Sequence, residues 1–273
     1  MAELYEEIHL GTVHFEQLDH KSGRARLARA RELALAQADE EALSIIANNL
    51  AAVHLQFGEY GQARERLSES LAHSKAAHNH NAQTEATTWA NLGHVHHRLG
   101  EWAAAADAFH AALRHATSPH QPAAEVYALL GLAQLHRATG DLPNASTACR
   151  RALRLARGYN LLQMQCEALV QLGHTRAIGG AWQAAETGYL AALALAETHE
   201  LGSGVSLALD GLAHASLARG EPTQAARQWR RALLPIPAES VEAAEIRLHQ
   251  DKDGAPSPIK DCDLCEATQQ PAS

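Results

Sequence analysis

Aromatic residues are scarce in this sequence, at 4% of 273 residues, and alanine is abundant. That balance favours closely packed helices. Long apolar runs are also missing, because no stretch approaches the roughly 20 residues of a membrane-spanning helix. The opening residues, MAELYEEIHLG, are acidic and do not resemble a secretory signal. We therefore expect a soluble, cytoplasmic protein with no membrane partner.

Positive charge is in short supply as well. The formal net charge is −8 at pH 7, which argues against a general nucleic-acid-binding protein, because the phosphate backbone demands a basic face. Arginine far outnumbers lysine, and with so much alanine this hints at a GC-rich bacterial genome. The four cysteines do not suggest a disulfide scaffold.

Catalytic signatures are absent from the sequence. It contains no H-E-x-x-H, no G-x-S-x-G, no phosphate-cradling G-x-x-x-x-G-K and no dinucleotide-type G-x-G-x-x-G. No nucleophile is paired with a base in a recognisable pattern. We therefore expect no enzymatic activity, and we predict neither a cofactor nor a metal site.

The segment 84–116 carries the pattern around which the chain is organised. It reads W-x2-L-G-x2-H from Trp89 and then A-x3-F up to Phe109. This pattern predicts two amphipathic helices joined by a turn at Gly100. Gly93 is expected to be small because the two helices approach closely there. Such a hairpin cannot bury its apolar face alone, so it should be repeated.

The same positions do recur along the chain. Each turn glycine is followed at fixed offsets by an alanine and a leucine, and is preceded by a leucine and a small residue. The spacing between turns is about 42 residues once and about 40 thereafter, compared with about 34 in the common form of such a repeat. The turn glycines are Gly58, Gly100, Gly140, Gly180 and Gly220.

This combination resembles the tetratricopeptide repeat family, with His96 in the place of its tyrosine. The longer period is similar to the arrays of kinesin light chain and of maltose-activator-like bacterial regulators. The resemblance implies an all-α fold: a right-handed superhelical solenoid of about six helix hairpins plus a C-terminal capping helix. The predicted solenoid spans 1–250, with a degenerate first repeat at 3–37, repeats at 41–74, 84–116, 124–157, 164–197 and 204–234, a capping helix at 238–250, and a disordered tail at 251–273 that is dispensable for folding.

In the resembled family, one face of the inner helix of each hairpin lines a concave groove. Here that face would be basic and histidine-rich in the middle, with an apolar patch beside it. We interpret it as a partner-binding surface, although a merely solvated inner face is the alternative. The expected contact residues are Asn48, His94, His97, Arg98, Tyr127, Leu130, Gln134, Arg137, Val170, His174, Asp210 and His214.

Two sets of residues, the groove histidines and a cysteine pair in the tail, are candidates for metal ligands. Groove histidines in adjacent repeats would lie about 9–10 Å apart, whereas zinc holds its ligands at about 2.0–2.3 Å. The tail carries a C-x2-C pair, Cys262 and Cys265, which is half of a zinc site, and only His249 is near it. We interpret this pair as solvated and redox-inert, with intermolecular metal or redox use as the alternative.

The sequence therefore favours a non-enzymatic interaction module. It would bind an extended or helical peptide segment, carrying acidic groups and one or two apolar anchors, in its groove. If groove histidines contact those acidic groups, binding should strengthen as the pH falls from about 7.5 to about 6. The alternatives are a regulatory sensor, which binds a small molecule or signalling peptide and acts on a separate output protein, and a metal- or redox-responsive protein. The oligomeric state stays open.

Overall fold

A computed structural model of the chain describes residues 2–16, 20–77, 81–116, 122–250 and 262–268. Within these ranges there are fourteen α-helices and no β-strand. None of the described helices is both long and apolar enough to cross a membrane. The helices are α1 Ala2–Glu16, α2 His20–Gln37, α3 Glu40–Gln56, α4 Tyr60–Ala76, α5 Ala82–Arg98, α6 Trp102–His115, α7 Pro122–Ala138, α8 Leu142–Gly158, α9 Leu162–Ile178, α10 Trp182–Thr198, α11 Gly202–Ala218, α12 Pro222–Ala232, α13 Val241–Leu248 and α14 Asp263–Thr268.

These helices belong to two compact units, Met1–Ala128 and Leu129–Ser273. Unit 1 contains α1 to α6 and the first turns of α7. Its successive helices pack in pairs, α1 with α2, α3 with α4 and α5 with α6. Unit 2 contains the rest of α7 and α8 to α14, with α9 packed on α10 and α11 on α12.

A left-handed glycine closes the hairpin turn between α5 and α6. Gly100 has φ +74°, a backbone conformation that side chains with a Cβ disfavour. Its N–H donates to the His97 carbonyl at 3.0 Å, and the Glu101 N–H donates to the His96 carbonyl at 2.9 Å. These bonds satisfy carbonyls that the end of a helix leaves unpaired. All five predicted turn glycines have positive φ, namely Gly58, Gly100, Gly140, Gly180 and Gly220.

Close helix approach inside a hairpin also follows the predicted pattern. A Cβ atom at Gly93 would lie 2.5 Å from ring carbons of Phe109, which is fully buried. Real Cβ atoms do not approach neighbours that closely, so only glycine fits between α5 and α6. In unit 2 the ring of Tyr189 occupies the same position beside Gly173 and also packs against Gly211. The predicted reason for a small residue at Gly93 is confirmed.

The C-terminal part of unit 2 contains two short helices, of which only α14 falls within the predicted disordered tail. Helix α13 is capped by Ser240, whose hydroxyl accepts the Ala243 N–H at 3.1 Å, and it packs on α12. Residues 251–261 and 269–273 lie outside the described residues. Between them, α14 packs on α9 and α11, with Leu264 and Cys265 buried. The polar composition around this segment concealed a short apolar stripe that is sufficient to dock one helical turn.

Candidate functional site

His94 lies on the inner helix α5 of unit 1, where the groove was predicted. Its ring is 4.5 Å from the Tyr127 ring and 5.1 Å from the Phe109 ring, measured between centroids. Its Nε2 atom is buried and has no hydrogen-bond partner among the described residues. Burial lowers the pKa of His94 to about 3, and the nearby positive charges of His97 and Arg98 contribute. His94 is therefore neutral between pH 7.5 and 6, so the predicted gain of charge is wrong for this residue.

Next to His94, an exposed patch surrounds the turn between α5 and α6. Arg98 is exposed, donates from Nε to the Tyr60 hydroxyl at 2.8 Å, and holds its guanidinium carbon 5.7 Å from the Tyr60 ring centroid. The His97 ring is 5.3 Å from the Trp102 ring, and Trp102 is 45% exposed. Leu99, between them in sequence, is 42% exposed. We name these five residues, Tyr60, His97, Arg98, Leu99 and Trp102, the Arg98 patch.

Asn48 has a different position from the one predicted. It is buried, and its Oδ1 atom accepts hydrogen bonds from Asn91 Nδ2 at 3.1 Å and from Thr88 Oγ1 at 3.3 Å. These bonds join the inner helices α3 and α5 inside unit 1. A buried amide that already has such partners contributes to packing, and a partner would have to break these bonds to reach it.

In unit 2, two residues of the predicted apolar patch are not exposed. Leu130 and Val170 are 2% and 1% exposed and belong to the interior. His174, whose ring is 5.5 Å from that of Tyr189, has a buried Nε2 atom with no hydrogen-bond partner in the described part of the chain. Burial holds the pKa of His174 well below its ordinary value, so this histidine is also neutral near pH 6. The prediction that partner binding strengthens at lower pH therefore does not hold for His174 either.

Some of the polar residues predicted to line the groove in unit 2 form hydrogen bonds within the unit. Arg137 is half-buried and donates from Nη1 to Gln171 Oε1 at 2.5 Å. Gln134 is half-buried on α7. Asp210 accepts a hydrogen bond from Trp229 Nε1 at 2.8 Å. These residues share the predicted helical face, but they do not form the open basic surface that the repeat pattern suggested.

His214 has the same repeat position as His94 and His174, yet it belongs to a cluster of different chemistry. It is 1% exposed, and its Nε2 atom lies 3.7 Å from Cys262 Sγ and 3.6 Å from Cys265 Sγ. His249 places its own Nε2 atom 3.4 Å from Cys262 Sγ. The ligand atoms of all four residues lie within 4.8 Å of one another. We name His214, His249, Cys262 and Cys265 the His–Cys cluster.

Sequence reasoning placed Cys262, Cys265 and His249 near one another but did not add His214 to them. The interpretation of a solvated cysteine pair is wrong, because Cys265 is fully buried and Cys262 is half-buried. His214 was assigned to the groove face, far from the tail in sequence. The missed signal is the apolar pair Leu264 and Ala267, which flanks Cys265 and predicts docking of the segment.

A cavity of about 440 Å³ opens beside the His–Cys cluster in unit 2. Glu242 reaches it from α13 with a buried Oε1 atom that has no hydrogen-bond partner among the described residues. Burial is the main cause that raises the pKa of the Glu242 carboxyl to about 7, and the charges of Asp210 and Glu245 contribute to that rise. The cavity lining is Leu207, Asp210, His214, Glu242, Glu245, Ile246, Leu248, His249, Cys262 and Leu264.

Comparison with protein families identifies the repeats. Residues 43–118 match the family model described as tetratricopeptide repeat. Residues 94–174 match the model described as anaphase-promoting complex subunit 5. No curated protein matches the chain significantly.

Solved structures share the fold at low sequence identity. The crystal structure of BtubC (BKLC) from P. vanneervenii is 17% identical, with 95% of this chain and 96% of that chain covered and a TM-score of 0.59. NprR in complex with its cognate peptide NprX is 13% identical, with 90% and 70% covered and the same TM-score.

A signal transduction ATPase of the STAND class with a tetratricopeptide repeat sensor, PH0952 from Pyrococcus horikoshii, is also 13% identical, with a TM-score of 0.59. The match covers 97% of this chain but only 41% of that protein. These likenesses confirm the predicted all-α solenoid fold class.

Proposed function

The chain is a tetratricopeptide repeat protein, and we propose that it is a non-enzymatic interaction module that binds a peptide segment of a partner protein. Two findings support this proposal. The repeat fold is shared with NprR, which was solved with its cognate peptide. The hairpin between α5 and α6 also presents large side chains to solvent instead of burying them.

The observation that carries the proposal is the Arg98 patch. Arginine, tyrosine and tryptophan are the residues most enriched at the energetic centres of protein interfaces. Here Arg98 is held in place by Tyr60, while Trp102 and Leu99 offer exposed apolar surface within the same turn. A pre-positioned guanidinium loses little conformational freedom on binding a carboxylate. We therefore infer a partner segment with an acidic side chain followed by an apolar anchor.

The pH dependence expected for this interaction differs from the one that the sequence suggested. Arg98 keeps its charge throughout the physiological range. His94, on the same helix face, stays neutral because burial lowers its pKa to about 3. Attraction to an acidic segment should therefore depend on ionic strength and should not gain from protonation of His94 at pH 6.

The test begins with partners captured from the native host by the full chain and identified by mass spectrometry. Binding of the captured segment is then measured by calorimetric titration to the wild type, Arg98→Glu and Trp102→Ala. We expect each change to weaken binding by about 10-fold or more, because charge reversal places like charges together and truncation removes the apolar anchor.

Arg24→Glu is the matched control for this experiment. Arg24 is an exposed arginine on α2 of the same unit, away from the patch. It changes the net charge by the same amount as Arg98→Glu, so it separates a local contact from a general charge effect. Equal affinity of wild type and folded Arg98→Glu would exclude the Arg98 patch as the binding surface.

A regulatory sensor is the second candidate function, and the cavity in unit 2 favours it. Its volume falls in the range of small-molecule sites, and the unpartnered Glu242 oxygen is a group that a ligand would satisfy. The acidic lining suits a ligand with a cationic head and an apolar body. A thermal-shift screen of such compounds against wild type and Glu242→Gln tests this candidate, which is excluded if no compound stabilises the wild type selectively.

A further inference from the structure

Four metal-ligand side chains converge in unit 2 from segments that are far apart in sequence. His214 comes from α11, His249 from the end of α13, and Cys262 and Cys265 from the start and the first turn of α14. Cys265 and both histidines are buried. Packing alone does not explain why two thiols and two imidazoles meet away from water. Aliphatic side chains would fill the same space without the cost of burying polar atoms.

The orientation of both histidine rings is fixed in the same way. The Nδ1 atom of His214 lies 2.9 Å from the Asp210 carbonyl oxygen, and that of His249 lies 3.0 Å from the Glu245 carbonyl oxygen. A carbonyl oxygen only accepts hydrogen bonds, so each Nδ1 must carry the proton and donate. Each neutral ring then directs its Nε2 lone pair at the cysteine sulfurs. A backbone acceptor behind a ligating histidine is the usual means of orienting it.

The distances within the cluster fit a tetrahedral ion. Zinc binds sulfur at about 2.3 Å and imidazole nitrogen at about 2.0–2.1 Å, which places neighbouring tetrahedral ligands about 3.3–3.8 Å apart. Three of the four nitrogen–sulfur distances of the cluster are 3.4, 3.6 and 3.7 Å. The widest separation of any two ligand atoms is within 4.8 Å, so small side-chain adjustments close the site.

We propose that His214 Nε2, His249 Nε2, Cys262 Sγ and Cys265 Sγ bind one zinc ion in a closed tetrahedral site. On binding, each thiol releases its proton to solvent and forms a Zn–S bond, while each imidazole donates its Nε2 lone pair. The two thiolates balance the charge of Zn²⁺, which makes the buried site neutral overall. The Cys265 backbone N–H, which points at Cys262 Sγ from 3.4 Å, stabilises that thiolate.

The donor set favours zinc over other ions and a structural role over a catalytic one. Two thiolates and two imidazoles in tetrahedral array are typical of zinc, whereas magnesium and calcium prefer oxygen. Four protein ligands leave no open position for water or substrate. A redox-active cysteine pair would need a thiol partner but not two histidines with their lone pairs aimed at the sulfurs.

The consequence of metal binding is local to unit 2. The ion would fasten α14 to α11 and to the end of α13, and α14 in turn covers α9 and α11. Zinc would therefore control whether the inner face of these two helices is covered or open. This inference does not depend on the Arg98 patch, which belongs to unit 1, so either one can fail while the other stands.

Zinc affinity of the full chain is the first test. Reduced, metal-stripped protein is titrated with zinc chloride in competition with a chromophoric chelator. We expect one equivalent of zinc to bind with a Kd below about 0.1 µM, as structural thiolate–imidazole sites do. Cys262→Ser with Cys265→Ser should weaken binding by at least about 100-fold. The matched control, Cys149→Ala with Cys166→Ala, removes the two other buried thiols and should leave the affinity unchanged.

Cobalt replaces zinc in a second measurement that needs no folded double variant. Tetrahedral Co²⁺ with two thiolate ligands gives intense visible bands and a sulfur-to-metal charge-transfer band in the wild type. His249→Asn, which removes one imidazole, should diminish these bands. Trp229, stacked on His249 with centroids 5.2 Å apart, should report binding through its fluorescence.

Three results would each overturn the proposal. They are a zinc Kd weaker than about 10 µM in reduced wild type, a weak octahedral cobalt spectrum, and zinc affinity that is equal in the wild type and a folded Cys262→Ser, Cys265→Ser variant. The zinc Kd and the cobalt spectrum are both measured on the wild-type chain. Loss of the site through misfolding of a variant therefore cannot be mistaken for support.

Discussion

His94 in unit 1 and His214 in unit 2 stand at the same position of their repeats but have opposite surroundings. His94 packs between aromatic rings, and its Nε2 atom is buried without a partner among the described residues. His214 faces two cysteine sulfurs and the Asp210 carboxylate. The repeat determines where the backbone places a side chain. The chemistry of that side chain depends on neighbours that do not repeat, here a segment of the C-terminal tail.

The electrostatic consequences of the two surroundings are also opposite. Burial lowers the pKa of His94 to about 3. Burial alone would lower the pKa of His214 as well, but the Asp210 carboxylate and the Cys262 thiol outweigh it and raise that pKa above the ordinary value. Equivalent positions in a helical repeat can therefore carry a histidine with a lowered pKa in one hairpin and a raised pKa in another.

Core truncation should give the largest effects and show whether the two units are independent. Leu92→Ala in unit 1 and Leu212→Ala in unit 2 remove equivalent buried leucines. We expect each to lower the free energy of unfolding by about 2–5 kcal/mol. Because each hairpin contacts only its neighbours, hydrogen exchange should increase mainly in the unit that carries the change. Equal acceleration throughout the chain would show that the units unfold as one.

Removal of residues 251–273 should affect unit 2 alone, and by a smaller amount. The described part of this segment buries Leu264, Cys265 and Ala267 against unit 2. Exposing one buried leucine and its neighbours costs about 2–3 kcal/mol. We expect that loss in metal-free protein and a larger one with zinc bound. Chemical denaturation of the full and shortened chains measures it, and identical curves would restore the prediction of a dispensable tail.

The sequence predicted the fold far better than the site, and the reasons are physical. Turn glycines such as Gly100 and close-packing glycines such as Gly93 leave a periodic mark, because every hairpin needs the same geometry. No comparable periodic pattern in the sequence shows whether a side chain is exposed. Leu130 and Val170 were assigned to an open groove and are interior. Their cover depends on how neighbouring helices and the tail pack, which no repeat position encodes.

Opposite responses to pH should distinguish His94 from Glu242. The unfolded chain protonates His94 near pH 6.5 but the folded chain only near pH 3, so acidification from pH 7 to 5 favours unfolding. For Glu242 the folded pKa of about 7 exceeds the unfolded value near 4.5, so stability falls as the pH rises through that interval. Each effect should be of order 1 kcal/mol.

The variants His94→Gln and Glu242→Gln measure these contributions in metal-free protein. Compared with the wild type, His94→Gln should lose less stability between pH 7 and 5, and Glu242→Gln should lose less between pH 5 and 7. Thermal melts at the two pH values, with a chelator present throughout, are sufficient. Parallel pH profiles for all three proteins would contradict the assigned burial of both groups.

Turn glycines should have equal, modest effects in the two units. Gly100 and Gly140 have φ +74° and +79°, and a Cβ at either would meet nothing within 4 Å. Substitution by alanine therefore costs only the backbone strain of the left-handed conformation, about 1 kcal/mol. Urea denaturation of Gly100→Ala and Gly140→Ala checks this. A clearly larger loss in one of them would mean that its turn is also held by packing.

Surface arginines should give the smallest changes in stability, and salt should reduce the change at Arg219. Arg98 in unit 1 donates to the neutral Tyr60 hydroxyl, whereas Arg219 in unit 2 pairs with Glu186 at 2.6 Å and Glu221 at 2.8 Å. All these groups are partly exposed, so either alanine variant should lose at most about 0.5–1 kcal/mol. The loss in Arg219→Ala should shrink as salt screens the ion pairs. Chemical denaturation at low and high salt measures the loss of stability in both alanine variants. A small loss of stability in Arg98→Ala, together with a large loss of partner binding in Arg98→Glu, would show that Arg98 contributes more to recognition than to folding.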